Sequence, residues 1–168
     1  MTATKPQPPK SDKPLSNRTS PPPKREELLA LARFVAGACG VEFDRLVARR
    51  TSSPWLWAVC GLTAWLCRRQ AGAGNDRIGS VLGRTGSTVS GLVERFSRRR
   101  EHDAEWWDLS HQMLVLLDTV PRGSLETARM PPDLAMRIVS LRLKVDVEEI
   151  EAREQAKEQQ KAQARARE

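Results

Sequence analysis

The sequence lacks the patterns that most membrane, metal and nucleotide-hydrolysing proteins need. Its longest apolar run, residues 54–67, falls short of the roughly twenty residues that cross a bilayer. Cys39, Cys60 and Cys67 are too irregularly spaced for a zinc site, and no His lies beside them at ligand spacing. A Gly-rich phosphate loop ending in Lys-Ser or Lys-Thr is also missing. We therefore expect no membrane span, no metal and no cofactor, and cysteines that fill the core of a cytoplasmic protein.

Positive charge is concentrated in the first hundred residues. Of the net charge of +7, residues 1–25 carry +5 and residues 26–100 carry +6, whereas residues 101–143 and 144–168 are net negative. Every basic residue between Arg25 and Lys144 is Arg, which binds phosphate and guanine edges through two parallel hydrogen bonds. Codons rich in G and C would give the same preference for Arg, and a solvated basic surface would give the same net charge. The charge pattern alone is therefore compatible with an anionic polymer as partner.

Periodicity predicts an all-α fold, a small helical bundle that contains a helix-turn-helix. Residues 1–24 are rich in Pro and Lys and have almost no large apolar side chain, so we expect a disordered basic arm without a targeting segment. Residues 25–120 form the predicted helix-turn-helix domain, 121–132 a linker with Pro and Gly, and 133–168 a charged helical tail. This division predicts one core and a long C-terminal helix.

The predicted core is built around a helix over residues 54–69. A helix beginning near Arg25 precedes it, ended by Gly37 and Gly40, and a short helix over 41–47 leads into a basic loop with Arg49 and Arg50. The 54–69 helix is apolar on nearly every face, which is typical of a central helix wrapped by others. Its Trp side chains are expected to pack in the core; stacking on nucleobases is the alternative.

Residues 76–100 follow the pattern of a helix-turn-helix. A short helix with an apolar stripe precedes Gly83 and Gly86, and a second helix with its own stripe follows. Thr85 or Ser87 can cap this second helix, whose start then presents Ser, Thr and backbone N–H groups to phosphates and base edges. The run Arg98-Arg-Arg100 either stabilises the helix C-terminus or contacts phosphate.

Two further helices follow the motif. Residues 103–118 are amphipathic, and the last helix is apolar at Leu134, Ile138, Leu141, Val145 and Ile150 but only charged or small beyond Glu151. Apolar a and d positions stop after about two heptads, so the sequence does not decide whether 134–150 forms a dimer, and the oligomeric state stays open. Either 103–118 or 133–168 could bind a protein partner, and the end of the tail is expected to be an exposed, fraying helix.

The segment from about Arg25 to Arg100 resembles the C-terminal DNA-binding domain of the bacterial replication initiator DnaA, a Trp-repressor-like helical bundle. Residues 35–50 resemble its first helix, short helix and basic loop, and Pro54 onward resembles its long central helix. Residues 84–89 match the family's Arg-Asp-His-[Ser/Thr]-Thr-Val except at Thr85 and Gly86. The resemblance implies a loop Arg in the minor groove and base reading at the start of the recognition helix. Because the Asp and His that help to read the family's origin box are replaced, another duplex sequence is expected as the target.

These observations predict a non-enzymatic protein that binds double-stranded DNA sequence-specifically, in replication control, transcription regulation or mobile-element biology. The predicted DNA contacts are Arg49, Arg50, Arg84, Thr85, Ser87, Thr88 and Ser90. In the alternative, the same bundle serves only as a protein-interaction module. An enzyme is disfavoured, since the polar cluster of Asp103, Glu105, Asp108 and His111 has neither a nucleophile nor a metal partner.

Overall fold

The computed structural model describes residues 22–48, 53–121, 124–125 and 128–165, and within these ranges the chain forms seven helices and no strand. The all-α prediction and the long C-terminal helix are thereby confirmed. Most of the predicted N-terminal arm, residues 1–21, lies outside the described residues. The helices are α1 (Arg25–Ala38), α2 (Phe43–Val47), α3 (Pro54–Ala71), α4 (Asn75–Leu82), α5 (Gly86–His102), α6 (Ala104–Thr119) and α7 (Pro132–Arg165).

Helix α3 forms the centre of the bundle, as its apolar sequence predicts. Pro54 stands in its first turn, where the missing backbone N–H breaks no helical hydrogen bond. Helices α1, α5, α6 and α7 pack around it. Every residue from Trp55 to Cys67 except Trp57 is buried. Gly61 allows α5 to come close, since a Cβ there would lie only 3.2 Å from the Cβ of Phe96.

An aromatic cluster joins α3, α5 and α6. The ring centres of Trp55 and Trp106 lie 5.9 Å apart, those of Phe96 and Trp106 5.7 Å, and those of Trp65 and Phe96 5.9 Å. Trp55 and Trp65 are therefore core residues, as expected, and their indoles are not available for stacking on nucleobases. Trp57 differs from them, because 36% of its surface stays exposed.

Helices α4 and α5 form the predicted helix-turn-helix. Gly83 ends α4 at φ 64°, a left-handed conformation that Gly adopts without strain. The turn is held by a 2.9 Å hydrogen bond from the Arg84 N–H to the Gly79 carbonyl, and a Cβ on Gly79 would overlap the Arg84 carbonyl oxygen. Both predicted apolar stripes face the core: Ile78, Val81 and Leu82 on α4, and Val89, Leu92, Val93 and Phe96 on α5.

The end of α1 differs in one detail from the prediction. Gly37 lies inside the helix, and Gly40, at φ 64°, is the glycine of the turn that follows. The chain reverses there through hydrogen bonds from the Gly40 and Val41 N–H groups to the carbonyls of Gly37 and Ala36. One glycine in a helix interior is tolerated, so only the second marks the boundary.

Helices α6 and α7 run antiparallel at one side of the bundle. Arg137 pairs with Asp108, and Lys144 donates to Asp103 and Glu105 at 3.1 Å each. Helix α7 contributes four buried side chains to the core, Leu134, Ile138, Leu141 and Val145. The core thus extends into α7, past residue 120, the predicted end of the helix-turn-helix domain. From Glu151 to Ala164 every side chain of α7 is exposed, as predicted.

A bilayer-spanning helix, long and apolar enough for that role, does not occur in the part of the chain that the structure describes.

Candidate nucleic-acid interface

Thr85 caps the start of α5. Its Oγ1 accepts a 3.3 Å hydrogen bond from the Thr88 N–H, and it also lies 3.0 Å from the Ser87 Oγ and 2.9 Å from the Thr88 Oγ1. The prediction that Thr85 or Ser87 caps this helix is thus confirmed for Thr85. Thr85, Ser87 and Ser90 are exposed and Thr88 is half-buried. Four hydroxyl groups therefore cluster at the positively polarised end of a helix whose other face is in the core.

The outer face of α5 continues beyond the predicted residues. At 100° per residue, Ser87, Gly91, Glu94 and Arg98 lie within about 60° of one another, opposite the stripe that packs on α3, and Arg95 flanks them. Arg95 is exposed and reaches back toward the helix start, with its Nη2 3.7 Å from the position of a Cβ on Gly91. Sequence reasoning missed Arg95 and Gly91, although the helical period that buries Val89 and Leu92 places both outside.

Arg84 was predicted to contact DNA, but the structure places its side chain against helix α3. Its guanidinium carbon lies over the Trp57 ring, 5.9 Å from the ring centre, and the side chain is close enough to the Cys60 thiol to influence its pKa. Burial raises the pKa of Cys60, and the charge and hydrogen bond of Arg84 act in the opposite direction. Arg84 is half-buried and fastens the turn to α3. A guanidinium held in this way faces the protein interior and not the outer face of α5.

Arg49 and Arg50, the predicted minor-groove residues, lie outside the described residues. The residues on either side of them approach the helix-turn-helix. The Val47 carbonyl oxygen is 2.9 Å from the position of a Cβ on Gly83, and Trp57, one turn into α3, lies under Arg84. Val47, at the end of α2, and Trp57, in the first turn of α3, therefore both lie beside the turn that precedes α5.

One acidic side chain stands at the start of α5. A Cβ on Gly86 would overlap Oδ1 of Asp76, whose backbone N is 3.6 Å from the same point. The carboxylate therefore fills the space that any larger residue at position 86 would need. An acid at a helix N-terminus is favoured by the helix dipole, but it opposes a phosphate at that end.

The run Arg98-Arg-Arg100 divides into an outer and two inner side chains. Arg98 is exposed and pairs with Glu94 at 2.5 Å. Arg99 lies 5.1 Å from the centre of the Trp106 ring. Arg100 lies 4.2 Å from the centre of Trp65 and donates to the Ser110 Oγ at 2.5 Å. Two of these three cations thus stabilise the packing of α5 on its neighbours, and Arg98 alone of the run belongs to the outer face.

The polar cluster on α6 is occupied by contacts within the protein. Asp103 and Glu105 bind Lys144, Asp108 binds Arg137, and His111 stacks on Trp107 with ring centres 5.1 Å apart. Cys39, Cys60 and Cys67 are buried thiols, as predicted, and burial raises the pKa of Cys39 and Cys67 to about 12. In the described ranges, no three His, Cys, Asp or Glu side chains come together in a way that could hold a metal ion.

Comparison with known proteins yields no relative: no protein-family model, curated protein or solved structure matches this chain.

Proposed function

We propose that this chain binds double-stranded DNA sequence-specifically, with α5 in the major groove. The observation that carries the proposal is the two-sided character of α5. One face is anchored in the core, and the opposite face presents exposed hydroxyls at the helix N-terminus, with Gly91 and Arg95 further along the helix. Arginine reads guanine, Ser and Thr bond to several bases, and glycine allows close approach to the groove.

Each residue of the interface has a role in the proposal. Ser87, Thr88 and Ser90 meet base edges, and the backbone N–H groups at the helix start meet phosphate. Arg95 is the side chain on this face best suited to guanine. Thr85 acts mainly as the cap that orders the helix start. Arg84 becomes a positioning residue, since its guanidinium lies against Trp57.

The basic loop completes the proposed interface. Val47 before this loop and Trp57 in the first turn of α3 after it both lie beside the turn before α5. We retain the proposal that Arg49 or Arg50 enters the adjacent minor groove, as the resemblance to the initiator's DNA-binding domain implies. Thr85 and Gly86 still stand where that family has Asp and His, so the proposed target differs from its origin box. Replication control, transcription regulation and mobile-element biology are the proposed settings.

Selection of bound duplexes from a random pool by the full chain tests this function. We expect an enriched motif, and affinity for it that falls about 10³-fold between 50 and 200 mM salt if six phosphates are neutralised. Binding that ignores salt would reject DNA binding and favour the protein-interaction alternative. A pool with no enrichment, together with weak salt-sensitive binding, would reject sequence specificity and leave a nonspecific DNA binder.

A pair of Arg variants locates the interface. Arg95→Ala should weaken binding to the selected duplex by about 1–3 kcal/mol, and weaken binding to random DNA much less. Arg129→Ala removes the same charge from the segment before α7, far from α5 along the chain. It should leave discrimination between the two duplexes unchanged. Equal losses for both variants would place the contact somewhere other than α5.

A further inference from the structure

Helix α7 has a second apolar face that the bundle does not use. Five large apolar side chains point away from the core with more than half of their surface exposed: Met136 (66%), Val139 (52%), Leu143 (61%), Val147 (52%) and Ile150 (57%). At 100° per residue they fall within about 80° of one another, on the side opposite the four core residues of the same helix. The outer face of a surface helix is ordinarily polar, so this stripe marks a contact surface.

The stripe is symmetrical about Leu143. Its successive spacings are three, four, four and three residues, and the order reads the same from either end. When two such helices lie antiparallel and cross at Leu143, Met136 faces Ile150, Val139 faces Val147, and Leu143 faces its own copy. This self-complementarity is what a two-fold symmetric interface requires, because the same patch must fit itself. We propose that the outer stripe of α7 binds a second copy of this chain in the antiparallel direction.

Charge along α7 fits the same orientation. Residues 136–143 carry two Arg and no acid, whereas residues 144–151 carry one Lys and four acids. Arg137 and Lys144 are already paired with acids of α6, so the cation that remains for a partner in the first half is Arg142, and the second half is negative. An antiparallel pair lays the positive half of each helix on the negative half of the other. A parallel pair would place like charges level with each other, which is destabilising.

One pair of side chains illustrates this complementarity. Arg142 and Asp146 flank Leu143 on the same side of the stripe, so in the antiparallel pair Arg142 of each copy lies about one half-turn from Asp146 of the other. Arg142 is exposed and Asp146 half-buried in the single chain. A parallel coiled coil is also disfavoured by the spacing, because it needs three and four to alternate through several heptads.

The oligomeric state of the full chain tests the interface. Light scattering behind a sizing column, over about a hundredfold range of concentration, should give a mass that rises from one to two chains. Leu143→Glu should weaken the dimer at least about 30-fold, since it removes a central apolar contact and places two carboxylates face to face. Val115→Glu replaces an equally exposed apolar residue, at 51%, on α6 and should leave the dimer intact.

Both variants alter exposed positions, so circular dichroism should show that each folds. A chain that stays monomeric at every concentration overturns the proposal. A dimer that survives Leu143→Glu, or that Val115→Glu also dissociates, shows that the contact lies elsewhere and overturns it as well.

Cysteine crosslinking tests the orientation, because the three native thiols are buried. Met136→Cys mixed with Ile150→Cys should give a disulfide-linked heterodimer on mild oxidation. Met136→Cys alone should give little linked product, since the two copies of residue 136 lie at opposite ends of the interface. Efficient linkage of Met136→Cys to itself would instead show a parallel pair and reject the antiparallel arrangement.

Discussion

The guanidinium carbon of Arg84 lies 5.9 Å from the centre of the Trp57 ring, and this contact joins the turn of the helix-turn-helix to the central helix. A cation over an indole is stabilised by the negative potential of the ring face. Trp57 is 36% exposed, unlike the buried Trp55 and Trp65 of the same helix, and the half-buried Arg84 lies against its ring. Arg84 thus links the start of α5 to α3 through its contact with Trp57.

Replacing Arg84 with Met should therefore affect folding more than the salt dependence of DNA binding. We expect the free energy of unfolding in urea to fall by about 1 kcal/mol, the order of a partly exposed cation–π contact. The slope of log affinity against log salt should stay as in the wild type, since the side chain meets no phosphate. A double-mutant cycle with Trp57→Leu isolates the contact. If Arg84→Met instead reduced the slope of log affinity against log salt by about one and left stability unchanged, Arg84 would be a phosphate contact.

Two glycines of the motif should respond in opposite ways to substitution by Ala. A methyl group on Gly79 would overlap the backbone oxygen of Arg84, so Gly79→Ala should lower the unfolding free energy by about 1–3 kcal/mol. Gly91 lies in a helix with only the Arg95 side chain near its Cβ position, at 3.7 Å. Gly91→Ala should raise stability by about 0.5–1 kcal/mol.

Gly91→Ala also tests the interface. Gly91→Ala should weaken DNA binding while the protein becomes more stable, because the added methyl group stands in the middle of the outer face of α5. Thermal melting and an electrophoretic shift assay measure the two effects separately. Unchanged affinity in Gly91→Ala would remove the centre of this face from the interface.

Periodicity was sufficient to predict most of the fold. The stripes on α4 and α5, the central α3 and the core face of α7 follow from apolar residues at spacings of three and four. The second stripe of α7 was not predicted, because Ile150 was grouped with the core residues of this helix. It follows Val145 by five positions, a spacing that places it on the opposite face, and its side chain is exposed. A helix with apolar residues on two opposite faces does not reveal which face the bundle covers.

The candidate site was only partly predictable. Capping chemistry narrowed the cap of α5 to Thr85 or Ser87, since a hydroxyl just before a helix accepts a hydrogen bond from the helix start, and the structure shows Thr85 in this role. The direction of an Arg side chain is not encoded locally. Arg84, Arg99 and Arg100 turn inward because Trp rings of other helices lie within reach, and those neighbours are set by the tertiary fold.

Asp76 should oppose DNA binding while it stabilises the helix-turn-helix. Its carboxylate lies at the start of α5, against Gly86. Asp76→Asn should lower the unfolding free energy by about 0.3–1 kcal/mol through loss of the favourable helix-dipole interaction. It should also tighten DNA binding by about two- to threefold at low salt, since one charge near a phosphate is removed.

The matched control for Asp76 is Asp133, an acid in the first turn of α7. Asp133→Asn should show a comparable loss of stability with no gain in affinity. Weaker DNA binding by Asp76→Asn would contradict a phosphate at the start of α5.

The link between α6 and α7 should depend on pH through Asp103. Burial raises the pKa of this carboxyl, but the Lys144 hydrogen bond, the Glu105 N–H and the Lys144 charge together outweigh burial and lower it. A group whose pKa is lower in the folded than in the unfolded chain stabilises the fold at pH values above the unfolded pKa. This stabilisation is lost as pH falls through the folded pKa.

Asp103→Asn keeps an acceptor for the Glu105 N–H but loses the charge, so it should cost about 0.5 kcal/mol near pH 7. Asp103→Ala should cost roughly 1 kcal/mol more, because the cap of α6 is also lost. Urea titrations from pH 7 downward should show the wild-type advantage over Asp103→Asn shrinking below about pH 4. An advantage that persists when the carboxyl is protonated would mean that the charge of Asp103 does not contribute.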